Sequence, residues 1–561
     1  MDKRFFLALF LSLVVIAISQ LLFPPPKPVP GSRTATPKDS ITADRGTASS
    51  TVSSSVTSPN TASPRSAIGV NATAGDTVSR LTPETTTVVT PKAIYRFSNI
   101  GAVPVSIEIR EYVNRSASGG PVDLAAEGLP LLGYKLVTPI DTADLSRVSF
   151  ALARAKNTAG NEALTYTAFV KGHSVSVTYT ISQDTTASYA VSVNGRVEGL
   201  SGQSYLLTDL PRTLKSAEAD TVADHRSLAY SFKPERDHSR SVLFSGLDPG
   251  DKILETGPLS WVAVKDKYFV LGILAPSKGP LFSETTLAGG ARTSKVATNA
   301  AATVVQEIKN NTFGFEIYAG PQESQRLTRM GRDFDHVNPY GWRFLQGVVH
   351  PIASKVIQVL LWMHNRLNLT YGWVLVILGI GVRLAMWPLN QNVMRSSLKM
   401  QELQPKLAAA QKKYKDPVQQ REAIMKVYQE AGVSPFAGLT GCLPSLLPMP
   451  ILFALFFVFQ NTIEFRGVPF LWLHDISIKD PLYILPLLMG VSMYLLSWIG
   501  MRNAPPNPQA KMMSYMFPVM MTVVLINMAS GLNLYYTAQN IASLPQQWLL
   551  ARERAKMRPA G

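Results

Sequence analysis

Six apolar runs dominate this chain, and one of them holds a single charge. Residues 5–23, 443–459, 482–500, 514–529 and 532–549 contain no Asp, Glu, Lys or Arg. The sixth, residues 371–389, reads YGWVLVILGIGVRLAMWPL and carries Arg383. Runs near the ~17–25 apolar residues that span a bilayer as a helix commit the chain to a membrane. A charge at the centre of such a helix costs about 2.5–3.5 kcal/mol on insertion scales. It ordinarily faces protein or water and marks a path for something polar. Snorkelling is the alternative. Arg383 lies about 8 Å along the helix axis from Pro388 at ~1.5 Å per residue, so its long side chain nearly reaches the interface. Arg383 alone leaves both readings open.

Only Ser530-Gly531 separates the last two runs. They form a tight hairpin or one broken helix. Two spans fit better, because one helix of roughly 35 residues would overrun the bilayer. The expected fold is therefore a polytopic α-helical membrane protein of six spans, five of them in a C-terminal bundle. The start, MDKR followed by residues 5–23, looks like a signal sequence, but its apolar run is long and no A-x-A site follows. An uncleaved anchor over 1–23 is expected, with cleavage as the alternative. Cys442 is the sole cysteine, so there is no intrachain disulfide framework.

Residues 24–90 open PPPKPVPGS and are rich in Pro, Ser, Thr and Ala, the composition of a disordered tether. Over 91–340 the pattern turns to β. Residues 174–182 (SVSVTYTIS) alternate strictly, and 189–197 (YAVSVNGRV) do so with Asn194-Gly195 offering turn chemistry. Residues 261–274 read as a hairpin turning at Lys265-Asp266-Lys267, and 312–318 as a further strand. Many short strands with polar turns predict a large all-β sandwich. Residues 341–370 mix apolar and basic residues at helical spacing, with Trp342 and Trp362 suited to headgroup depth. An amphipathic helix in the interface is expected there.

Within 371–549, the stretch 390–440 predicts a helical hairpin that turns at Lys415-Asp416-Pro417. A solvated face explains most of its Lys and Arg. The excess still orients the chain. With six spans, Lys3-Arg4, this hairpin, Arg502, Lys511 and the short tail 550–561 share one side, and the β domain lies on the other. The rule that basic loops stay inside makes both termini cytoplasmic and the β domain external.

No Walker loop, HExxH or GxSxG appears, and the seven histidines lack metal-ligand spacing, so no cofactor, metal or enzymatic activity is indicated. Intramembrane Asp and Glu are missing from the runs, which disfavours ion-coupled transport. Arg383 thus has no acidic partner within them. An uncompensated guanidinium in a dry bundle is prohibitive. A water-filled cavity open to the cytoplasm resolves this, with Gln460, Thr522, Asn527, Thr537, Gln539 and Asn540 available to line it.

GVRLAMWPLNQ, LQPKLAAAQKKYKD, GCLPSLLPMPILFALF, FLWLHDISIKDPLYILPLLMGVSMY and SGLNLYY follow one another in this order. Together they resemble the bacterial YidC membrane-protein insertase family, Gram-negative type, across residues 341–547. The resemblance implies a hydrophilic groove, open to cytoplasm and lipid, with Arg383 as its charge and Tyr536, Gln539 and Asn540 beside it. It implies a hydrophobic slide at Met449, Pro450, Val524 and Leu525. It also implies nascent inner-membrane proteins as substrates, working alone or with the Sec translocon, with the ribosome and the signal recognition particle pathway as further partners in the lipid bilayer. Two departures stand out. Gly379 occupies a position where the family often has a hydroxyl, and the basic tail is short. The runner-up is a solute channel or transporter with an external binding domain. A carbohydrate-binding β domain, by fold analogy alone, comes third.

Overall fold

The computed structural model describes residues 82–557 apart from 157–159, 185–188, 293–295, 339, 341–344, 389–390, 392–405, 408, 411–412, 414–415, 431–448 and 503–507. These residues belong to one compact unit, Asp76–Gly561. The expected anchor, the expected tether up to residue 81, most of the first half of the expected helical hairpin, Cys442 and residues 558–561 lie outside the described residues.

Strands Thr85–Val89, Ala93–Ser98, Val103–Val113 and Pro121–Asp123 form a small antiparallel sheet in sequential order. The first strand falls inside the stretch expected to be tether. Its Thr-Thr-Thr-Val-Val sequence is β-branched and pairs with Ala93–Ser98 through Val88↔Tyr95, which is enough to order it. A second sheet, 14-stranded among the described residues, carries the rest of the domain. Its middle runs from Lys252–Lys265 through Phe269–Leu274, Thr312–Pro321, Ala190–Glu198 and His173–Ile181 to Glu162–Val170. Alternation explains the layers: His173–Ile181 buries Val175, Val177, Tyr179 and Ile181 on one face. Tyr179 joins the two sheets. Its hydroxyl donates to the Ala102 carbonyl at 2.6 Å and shares a hydrogen bond with the Tyr134 hydroxyl at 2.8 Å.

Asn194-Gly195 is not a turn. Both residues lie inside strand Ala190–Glu198, paired with Thr178 and Val177 on one side and Gly314 and Phe313 on the other. Gly195 is needed because a Cβ there would overlap the Phe313 ring. The expected hairpin does form at Asp266-Lys267-Tyr268. Asp266 is buried and its Oδ1 accepts the backbone N–H of Tyr268 at 2.8 Å and of Phe269 at 2.6 Å.

The helices are α1 (Thr221–His225), α2 (Ser324–Arg329), α3 (Gln346–Leu367), α4 (Tyr371–Ala385), α5 (Pro417–Glu430), α6 (Met449–Asn461), α7 (Ile484–Met501), α8 (Pro508–Leu525) and α9 (Ser530–Met557). Among the described residues, α7 is long and apolar enough to cross a membrane, while α4 and the apolar stretches of α6 and α8 are shorter. α9 packs on α4 and α7, and α6 packs on α3. α8 and α9 are separate helices, but the break falls at 526–529, and Ser530-Gly531 begin the next helix instead of dividing the two. The surroundings set that start: the Ser530 N–H donates to Ile478 O at 2.7 Å and the Gly531 N–H to Ile476 O at 2.8 Å. Asn533 Nδ2 donates to the Leu525 carbonyl at 3.1 Å and closes the end of α8.

The connection between α6 and α7 reaches into the β domain. Ile463 joins that domain's hydrophobic core. Arg466 follows it into a socket. Its Nε donates to Glu218 Oε1 at 2.6 Å, and its Nη2 donates to the carbonyls of Val113 at 2.9 Å and Ala217 at 3.0 Å. Phe269 and Tyr268, beside the hairpin turn, lie 5.5 and 5.9 Å from its guanidinium carbon. Arg115 pairs with Asp475 at the same junction. Asp480, fully buried, accepts the Trp472 indole N–H and the backbone N–H groups of Leu482 and Leu485, which starts α7.

Candidate functional site

The α4–α9 seam carries the charge singled out above. Leu375 lies against Gly531, Gly379 against Tyr535, Ala538 and Gln539, and Arg383 against Gln546. Numbers rise together along both helices, so they run parallel. Gly379 makes the approach possible: a Cβ there would sit 3.0 Å from Tyr535 O and 3.3 Å from Ala538 Cβ. Small residues at a helix seam allow backbones this close. The missing hydroxyl thus has a local reason, since a side chain at 379 would press on the α9 backbone.

One turn further, Arg383 Nη2 donates to Gln546 Oε1 at 2.6 Å. Gln546 is buried, and its Nε2 donates in turn to Trp387 O at 3.4 Å. Arg383 Nε is enclosed and has no hydrogen-bond partner. No carboxylate pairs with Arg383 among the described residues. A half-buried cation held by a neutral amide keeps its full charge, and an enclosed N–H is a strong donor still to be satisfied. The guanidinium faces a neighbouring helix, which simple snorkelling does not require.

The remaining residues divide. Gln539 sits half-buried on the seam beside Gly379. Asn540 turns to another helix, its Nδ2 donating to Ser492 Oγ of α7 at 3.0 Å. Tyr536 is half-buried, 5.5 Å from the Tyr535 ring. It is Tyr535, fully buried, that reaches α6, with its ring 5.7 Å from Phe459. Met449 and Pro450 open α6, and the Met449 side chain lies outside the described residues. Val524 and Leu525 are buried at the end of α8. Met512, Met516, Val519 and Val523 form an exposed apolar stripe on α8, with Met513 and Phe517 exposed beside it. Its spacing of four, three and four residues is one helical face, and Val524 and Leu525 fall behind it.

Sequence reading missed Gln546. The signal was present, because Gln546-Gln547 interrupts an apolar run directly after Pro545. It also missed Arg466, whose loop setting resembles a solvated charge.

The comparisons agree with this architecture. The 60Kd inner membrane protein family model matches residues 362–557, and the YidC periplasmic domain model matches residues 85–352. Membrane protein insertase YidC of Chlorobaculum tepidum is 31% identical over 433 residues, covering 73% of this chain and 71% of that protein. The chain belongs to the YidC insertase family. The YidC of Chlorobium luteolum is 32% identical over 447 residues, covering 73% of this chain and 72% of its own length. The solved YidC of Thermotoga maritima matches 82% of this chain and 99% of its own at 14% identity and a TM-score of 0.29. YidC relatives are bacterial inner-membrane proteins with a periplasmic domain.

Proposed function

We propose that this chain inserts proteins into the bacterial inner membrane without covalent chemistry, through a cytoplasm-open groove on the α4–α9 seam. One observation carries the reading: Arg383 is held by neutral Gln546 and retains an enclosed, unpartnered Nε–H. A polar or acidic chain end entering from the cytoplasm finds a cation that no carboxylate among the described residues has claimed. Bringing polar groups to a hydrated, charged recess shortens the low-dielectric path they must cross, and the transfer cost falls with it. The client's apolar helix would leave along Pro450 on α6 and the exposed stripe of α8.

Six spans with cytoplasmic termini complete the proposal, with 371–549 as the core and the 390–440 hairpin receiving substrate. The parallel run of α4 and α9 supports an odd number of crossings between them, in keeping with the three apolar runs 443–459, 482–500 and 514–529. The β domain would meet the Sec translocon, and the ribosome would dock near the hairpin. The test is complementation in a host depleted of its own insertase, with a single-span client bearing an acidic external tail. Arg383→Ala should impair its insertion and Arg383→Lys should retain more. Equal insertion by both variants and the parent would remove the charge from the mechanism.

A further inference from the structure

The collar where the β domain meets the helices contains a groove of about 590 Å³ between α2 and α3. Arg329 and Arg366 line it, with Gln325, Gln358, Asn365 and Trp362, and no acidic residue does. This distinguishes the two from nearby arginines. Arg326 pairs with Glu323, Arg332 with Glu316 and Arg466 with Glu218, whereas Arg329 and Arg366 have no ion pair among the described residues. Trp362 is 59% exposed at the rim. Val348 and Val359 are exposed on the same helix, opposite the buried face of Val349, Ala353, Ile357 and Leu360. A helix with an exposed apolar stripe, flanking cations and a Trp at its edge is built to lie on lipid.

We propose that this groove binds the phosphate-bearing headgroup of an anionic phospholipid and so ties the collar to the membrane surface. Guanidinium forks match phosphate oxygens in geometry as well as charge. The amides of Gln325, Gln358 and Asn365 suit headgroup hydroxyls. The volume fits a small polar ligand, and the neighbouring apolar stripe accounts for the acyl chains that a free anion lacks. The site lies apart from Arg383 and needs no client protein.

Purified full-length protein in mixed micelles is titrated with phosphatidylglycerol, phosphatidylcholine or inorganic phosphate. Bound lipid is counted by native mass spectrometry, and melting is followed in parallel. Phosphatidylglycerol should be retained and should raise the melting temperature, while phosphatidylcholine and inorganic phosphate do neither. Arg329→Gln combined with Arg366→Gln should weaken phosphatidylglycerol binding about tenfold or more. Lys252→Gln, exposed on the β domain and no part of the groove lining, should leave it unchanged. The double variant should melt like the parent in phosphatidylcholine, because both arginines are surface side chains. Undiminished retention by the double variant overturns the proposal. So does equal binding of phosphatidylcholine, or a melting shift reproduced by inorganic phosphate alone, which would assign a free-anion site.

Discussion

Arg466 and Arg383 are the same side chain in opposite circumstances. Arg466 is 3% exposed and fully engaged by a carboxylate, two carbonyls and aromatic rings. Arg383 is half-buried, touches one neutral amide and keeps an N–H unpaired. The first arrangement spends its hydrogen-bonding capacity on holding two parts of the molecule together. The second leaves an enclosed N–H without a partner, which the proposed function assigns to a client chain. Burial alone does not separate the two arginines; their partners do.

The sharpest way to break this comparison is to remove each arginine. Arg466→Ala strands Glu218, whose carboxyl burial already pushes upward. Breaking a buried pair from one side costs about 3–5 kcal/mol, so thermal or denaturant unfolding should show a large loss. Arg383→Ala should cost only about 1–3 kcal/mol, the penalty of leaving the Gln546 amide unsatisfied, yet reduce client insertion about tenfold, equivalent to ~1.4 kcal/mol. If instead Arg466→Ala is stable and Arg383→Ala unfolds, the roles are reversed.

Gln546 sharpens the contrast. Gln546→Glu places a carboxylate on Arg383 and turns it into a structural pair. Insertion should fall while the melting temperature holds or rises. Gln546→Ala leaves the charge unclaimed and should insert nearly as well as the parent. Gly379→Ser tests the seam: the added side chain presses on Tyr535 O, and overpacking of this kind costs about 1–3 kcal/mol.

The pH profile tests the junction from another side. Burial, reinforced by the nearby Glu323 carboxylate, pushes the Glu464 carboxyl from its ordinary 4.5 up to about 7. Between those values the folded state keeps a proton that the unfolded state releases. Stability from this group is therefore full below about pH 4.5 and declines as pH rises towards 7. Glu464→Gln should flatten that slope in unfolding measured from pH 4 to 8, and an unaltered slope would assign it to other groups.

Much of the fold was legible because alternation and apolar length are local signals. The hairpin closing at Asp266 was read from turn chemistry, and Arg383 stood out because charge in an apolar run is costly wherever the run lies. Other features misled for physical reasons. Asn194-Gly195 has turn chemistry, but the Phe313 ring above it demands a glycine inside a strand. The burial of Val524 and Leu525 beside the exposed Val523 is set by rotation about α8, which neighbouring helices fix. Arg466 resembled any loop arginine, because its socket is assembled from residues 113, 217–218 and 268–269, far away in sequence.

By itself the sequence determined that the chain enters a membrane, that a β domain precedes a helical region, and that one guanidinium is out of place. These follow from the energies of single residues and short runs in their solvent. Only the tertiary structure decided that Gln546 holds that guanidinium, that Gly379 lets α4 and α9 close together, and that Arg466 locks the helices to the β domain. Each depends on side chains brought together from distant segments, and their mutual distances are set by packing, which no local pattern encodes.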